Sequence, residues 1–173
     1  GNDRLLALPG SQAGIQGLPT TFSPQAVACV SPVYEEHPHA WIRAWHKLRR
    51  LLTLARALAA ATPLVLVCNP NNPTATLTPR DALLDAAAQL RRRGGWLIVD
   101  EAFGDAEPEN NIVDLAGSET APNLIVLRSL GKFFGLAGAR VGFVFGVAEK
   151  LNALREKLGP WPLSHPARFV ARH

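Results

Sequence analysis

Lys132 lies in the run Arg128-Ser129-Leu130-Gly131-Lys132-Phe133-Phe134-Gly135, between the apolar residues 124–127 and a glycine-spaced apolar stretch. Burial of a lysine disfavours its ammonium form, and the neutral amine attacks carbonyls to give Schiff bases. Ser129 stands three residues before it and Arg140 eight residues after it, where both can hold an anion. The trio predicts chemistry on a molecule that carries a carbonyl and a phosphate.

Pyridoxal 5'-phosphate is such a molecule. Its aldehyde needs a lysine, and its pyridine nitrogen needs a carboxylate that keeps it protonated so the ring can withdraw electrons. Its phosphate needs backbone donors at a helix start and a fixed cation. Lys132 offers the amine and Asp100 the carboxylate. Gly10, Ser11 and Gln12 precede a short helical pattern at residues 13–18 and can present N–H groups to a phosphate beside Ser129 and Arg140. Asn72 can donate to the ring oxygen. Tyr34, the one tyrosine of the chain, can stack on the ring.

These residues need a scaffold, and the hydrophobic pattern supplies one. Residues 27–30, 64–68, 96–99, 124–127 and 141–145 read as strands. The run at 64–68 is apolar throughout, as in a strand covered on both faces. Helical patterns are predicted from Pro38 to about Ala60, from Thr78 to about Arg93, and over 148–158. Thr78 reads as an N-cap with Pro79 at the first helical position, and Gly94-Gly95 as the stop. Trp41, Trp45, Leu48, Leu52 and Ala55 fall at helical spacing, which predicts one amphipathic face. Strands alternating with helices predict an α/β fold, a three-layer α/β/α arrangement around a mostly parallel sheet. In such sheets ligands sit beyond the carboxyl ends of the strands. Residues 69–72, Asp100 and residues 129–132 fall there.

The segments Asn69-Pro70-Asn71-Asn72-Pro73-Thr74, Val99-Asp100-Glu101-Ala102-Phe103 and Ser129-Leu130-Gly131-Lys132, followed by Arg140, resemble the aminotransferase fold type I (class I/II) family of pyridoxal phosphate enzymes. Order and spacing agree: 28 residues from Asn72 to Asp100, 32 to Lys132 and 8 to Arg140. Within that family the chain is similar to the branch of histidinol-phosphate aminotransferases, and above all to the cobalamin-biosynthetic threonine-phosphate decarboxylases. Pro9-Gly10-Ser11-Gln12, Tyr34-Glu35-Glu36-His37 before Trp41, and Arg128-Ser129-Leu130-Gly131-Lys132-Phe133 carry that likeness. The resemblance implies the large domain of a pyridoxal phosphate transferase, with Lys132 on the aldehyde and Asp100 at the pyridinium. Asn72 would meet the ring oxygen and Tyr34 the ring face. Gly10, Ser11, Gln12, Ser129 and Arg140 would hold the phosphate. It also implies a small amino acid phosphate as substrate, a homodimer, and decarboxylation of L-threonine O-3-phosphate. Transamination of histidinol-phosphate type is the alternative.

Two departures bear on that choice. Phe103 stands where most aminotransferases of the family carry a tyrosine whose hydroxyl reaches the ring oxygen, a change that favours the decarboxylase branch. Gly131 replaces a serine frequent among histidinol-phosphate aminotransferases, removing one hydroxyl from the phosphate. The glycines at 131, 135, 138 and 142 do not form a Walker loop, because position 126 is valine and no Ser or Thr follows Lys132.

Composition sets the outer limits. The chain has 173 residues, 47% hydrophobic, enough for one sizeable core. No apolar run is long enough to span a membrane. A net charge of +4 arises partly from the clusters Arg49-Arg50 and Arg91-Arg92-Arg93, which read as solvated helix faces and not as a nucleic-acid surface. Cys29 and Cys68 sit in apolar runs and read as reduced core residues of a cytoplasmic protein. No cysteine or histidine has the spacing of a metal site, and His37 and His39 read as ordinary surface or supporting residues. The absence of methionine reads as a fragment or processed chain. Residues 1–159 are expected to form an incomplete large domain and 160–173 the hinge into a small domain. On that expectation, an inactive fragment is the non-enzymatic alternative.

Overall fold

A computed structural model describes residues 2–172. In chain order the elements are β1 (Leu5–Leu8), α1 (Ser11–Gly17), β2 (Ala26–Val30), α2 (Glu36–Arg43), β3 (Lys47–Leu51), α3 (Leu54–Ala59), β4 (Leu64–Cys68), α4 (Arg80–Arg91), β5 (Trp96–Asp100), β6 (Leu124–Ser129), β7 (Gly142–Phe145), α5 (Ala148–Leu158) and α6 (His165–Val170). The strands form a 7-stranded sheet in the order β1-β7-β6-β5-β4-β2-β3. β3, β2, β4, β5 and β6 run parallel, whereas β7 pairs antiparallel with β6 and β1 with β7.

The alternation of side chains along each strand divides the core into two. Leu64, Leu66, Ile98, Ile125 and Leu127 pack beneath Ile15, Trp41, Leu151 and Leu154 of α1, α2 and α5. Val65, Val67, Leu97, Val99 and Val126 pack on the other face against α3 and α4, through Ala57, Leu83, Ala86 and Leu90. The result is the expected three-layer α/β/α arrangement. After Gly159, Leu163 and Ala167 pack with Val141 and against Leu130 and Ala139, bringing α6 beside the segment that carries Lys132.

The helix expected from Pro38 to Ala60 is not continuous. α2 ends at Arg43, and Trp45 takes a left-handed conformation (φ 65°) that turns the chain into β3. β3 then pairs residue by residue with β2 as the sheet edge. Trp41 is 1% exposed, while Trp45 is 83% and Leu52 70% exposed, so the predicted apolar face does not exist. Pairing with β2 overrides the local helical spacing. A further helix, α3, is capped by Thr53, whose side chain accepts the Arg56 N–H. At α4 the cap position is Pro79 with no side-chain cap. Thr78 is engaged elsewhere, through its backbone, with Asn69.

Candidate active site

β4, β5 and β6 end side by side, with Cys68 opposite Asp100 and Asp100 opposite Leu127 in register. Beyond those ends lies a cavity of about 310 Å³. Gly10, Ser11, Gln12, Tyr34, Asn72, Asp100, Ser129, Lys132 and Arg140 all line it, so the structure brings together every residue singled out from the sequence.

Asp100 sits on the cavity floor and is buried. Its Oδ1 accepts the Ala102 N–H at 2.9 Å, and its Oδ2 accepts from His37 Nε2 at 2.6 Å. His37 is 2% exposed, which corrects its reading as a possible surface residue. It reaches Asp100 from α2 across 63 residues of sequence, a pairing that no local pattern announces. Cys68 also lines the cavity, and its thiol lies with His37 and Asp100 in a group whose polar atoms are within 4.8 Å of one another. Burial pushes the Cys68 thiol well above its usual range, with Asp100 adding to the effect.

Tyr34 meets the His37 ring edge-on at 6.4 Å. Asn72 is carried by a loop fixed at both ends. Asn69 Oδ1 accepts the Thr78 N–H at 2.7 Å and Asn69 Nδ2 donates to the Thr78 carbonyl, while Asn71 Nδ2 donates to the Pro32 carbonyl at 2.9 Å. These two asparagines position Asn72, a role the sequence reading did not assign.

Across the cavity, Gly10 adopts φ 83°, and a Cβ there would lie 2.6 Å from Arg140 Nη2. Gly142 likewise has no space for a Cβ against the Ser11 backbone nitrogen. Glycine at both positions lets the first turn of α1 and the guanidinium close on one point. N–H groups of a first helical turn have no intrahelical acceptor. Ser129 Oγ accepts the Gly131 N–H at 3.1 Å, which leaves its own proton available. The Gln12 side chain donates to Glu36 at 2.6 Å, so Gln12 can serve the cradle through its backbone.

Lys132 departs from expectation in its surroundings. It is exposed at the cavity mouth, not buried. Its Nζ lies over the Phe103 ring, 5.5 Å from the centroid. Phe103 itself lines the cavity and brings no hydroxyl to it.

Amine, carboxylate, amide, aromatic face and guanidinium cradle together match the groups of pyridoxal phosphate, and the cradle is one that any Cβ at position 10 would fill. A large domain with a lysine beyond a parallel sheet and a buried carboxylate at the neighbouring strand end is that of a pyridoxal phosphate transferase. Residues 1–172 match the aminotransferase class I and II family, and the chain belongs to it. Enzymes of this family depend on pyridoxal phosphate.

Threonine-phosphate decarboxylase of Pseudomonas aeruginosa is 48% identical over 173 residues, covering 99% of this chain and 51% of that protein. Histidinol-phosphate aminotransferase of Shewanella oneidensis is 40% identical over 113 residues, covering 65% of this chain and 28% of that protein. The crystal structure of L-threonine-O-3-phosphate decarboxylase from Porphyromonas gingivalis superposes with a TM-score of 0.84 at 19% identity, covering 100% of this chain and 57% of that one. The chain thus spans about half the length of the curated decarboxylases it matches. Among the described residues no helix is long and apolar enough to cross a membrane.

Proposed function

We propose that this chain forms the cofactor-binding part of a pyridoxal phosphate-dependent lyase that decarboxylates L-threonine O-3-phosphate in cobalamin biosynthesis. The choice of reaction rests on one observation. Likeness to the P. aeruginosa decarboxylase extends over 99% of the chain at 48% identity, whereas likeness to the S. oneidensis aminotransferase stops at 65%. The bare Phe103 wall agrees with it.

When bound, pyridoxal phosphate supplies a carbonyl for amine capture and a protonated ring that accepts electrons from the bond being broken. Lys132 would hold it through its side-chain amine. Asp100, oriented by His37 and the Ala102 N–H, holds a proton on the ring nitrogen. Asn72 would donate to the ring oxygen, and Tyr34 would cover the ring face. The backbone of Gly10, Ser11 and Gln12, with Ser129 and Arg140, binds the phosphate. Lys132, at the cavity mouth, would also be the group to move a proton to or from the substrate carbon. The whole protein would act as a cytoplasmic homodimer on a small amino acid phosphate.

Product analysis of the whole protein with L-threonine O-3-phosphate tests the reaction. Release of carbon dioxide with an aminopropanol phosphate supports it. A 2-oxo acid product overturns it in favour of transamination.

A further inference from the structure

β5 and β6 each place neighbouring residues on opposite faces of the sheet. Asp100 and Ser129 face the cavity. Glu101 and Arg128, one position away from each, meet behind it, with Arg128 Nη1 at 3.1 Å from Glu101 Oε2. Glu101 is fully buried, and its other oxygen accepts the Ile112 N–H at 2.7 Å. Arg128 Nη2 pairs with Asp105, in the turn that follows Phe103. Gly104 packs into this turn, where a Cβ would lie 2.4 Å from Asn111 Oδ1, 3.1 Å from Glu101 Cβ and 3.2 Å from Arg128 Nη1. The guanidinium therefore ties the end of β6 to the whole 101–105 turn.

We propose that Arg128 is a positioning residue: by gripping Glu101 and Asp105 it fixes the separation of Asp100 from Ser129 and Lys132, and so sets the affinity of the cavity for pyridoxal phosphate. The proposal rests on the reading of this cavity as the cofactor site. A buried ion pair adds little stability over an apolar pair of equal volume, because desolvation offsets its attraction. What it adds is directional geometry, from two carboxylates meeting one planar fork. Nearby Arg80 provides an internal comparison. It binds Asp114 through paired contacts at 2.8 Å and the Asn111 carbonyl, holding the same loop farther from the cavity.

The whole protein is titrated with pyridoxal phosphate, reading the visible band, and its thermal unfolding is followed without cofactor. Arg128→Met weakens binding by about tenfold or more, Arg128→Lys recovers part of it, and in the Asp100→Asn background Arg128→Met changes affinity by less than about threefold. Arg80→Met lowers the unfolding temperature and leaves affinity unchanged. Should Arg128→Met fail to fold, Glu101→Gln, which keeps an acceptor for Ile112, reports the same loss. Unchanged affinity in the Arg128 and Glu101 variants, an undiminished loss in the Asp100→Asn background, or an equal loss in Arg80→Met overturns the proposal. Failure of the unaltered whole protein to bind pyridoxal phosphate overturns the cofactor reading and this inference with it.

Discussion

The Asp100 carboxylate and the His37 imidazole meet at 2.6 Å beneath the cavity floor, both buried. The contact joins the end of β5 to α2 and fixes the direction in which the other Asp100 oxygen faces. Replacing His37 with alanine leaves a buried carboxylate with one partner fewer, at a cost of about 3 kcal/mol in stability. Pyridoxal phosphate affinity falls as well. His37→Gln, which retains a donor, recovers most of both. Urea unfolding and cofactor titration measure the two effects, and equal loss in both variants speaks against hydrogen bonding as the cause.

Gly10 lies where the start of α1 meets Arg140. Its φ of 83° and the 2.6 Å approach of a Cβ to Arg140 Nη2 leave no room for a side chain. Gly10→Ala is expected to lose about 1–2 kcal/mol of stability and to weaken phosphate-dependent binding. Inorganic phosphate competing with pyridoxal phosphate in the same titration reads this directly: competition present in the unaltered chain is lost in the variant.

Trp41 and Trp45 look equivalent in the sequence and are opposites in the structure. Trp41 is 1% exposed and packs on Phe22 and His46, whereas Trp45 is 83% exposed. Truncating Trp41 to alanine costs about 3–5 kcal/mol, and truncating Trp45 less than about 0.5 kcal/mol, by urea unfolding. One continuous amphipathic helix would have made the two costs similar.

That pair shows where sequence reading succeeds and where it stops. The run at 64–68 is a strand from its composition alone, because five consecutive apolar residues suit a position covered on both sides. Residues 148–158 are legible as a helix from their spacing. β3 is not legible, since Lys47, Arg49 and Arg50 gain strand character from pairing with β2 at the sheet edge. β1 is four residues long and owes its place to β7, far along the chain. For the site, residue type and order identified the groups that line the cavity. The roles of His37 and Arg128 are not legible, because each acts through a partner distant in sequence, and that of Asn69 is not, because it acts through the backbone of Thr78.

Burial pushes the Cys29 thiol up to about 11 from 9.0, with the Ser31 hydroxyl opposing the shift. A thiol whose folded value lies above its unfolded one contributes stability that is fully present below the unfolded value. That stability is lost as pH rises from about 9 through about 11, and amounts to about 2–3 kcal/mol at most. Unfolding free energy measured between pH 8 and 11 is expected to decline in the unaltered chain and to decline less in Cys29→Ala. At pH 8 a thiol reagent should not label Cys29 until denaturant is added, since it is fully buried and does not line the cavity.

Lys132 is the residue proposed to carry pyridoxal phosphate. Incubation of the chain with the cofactor, reduction with borohydride and peptide mass analysis locate the attachment. The cofactor mass is expected on the peptide containing Lys132, with no visible band and no such adduct in Lys132→Ala. Attachment at Lys47, Lys150 or Lys157 in preference to Lys132, or none at all, contradicts that role.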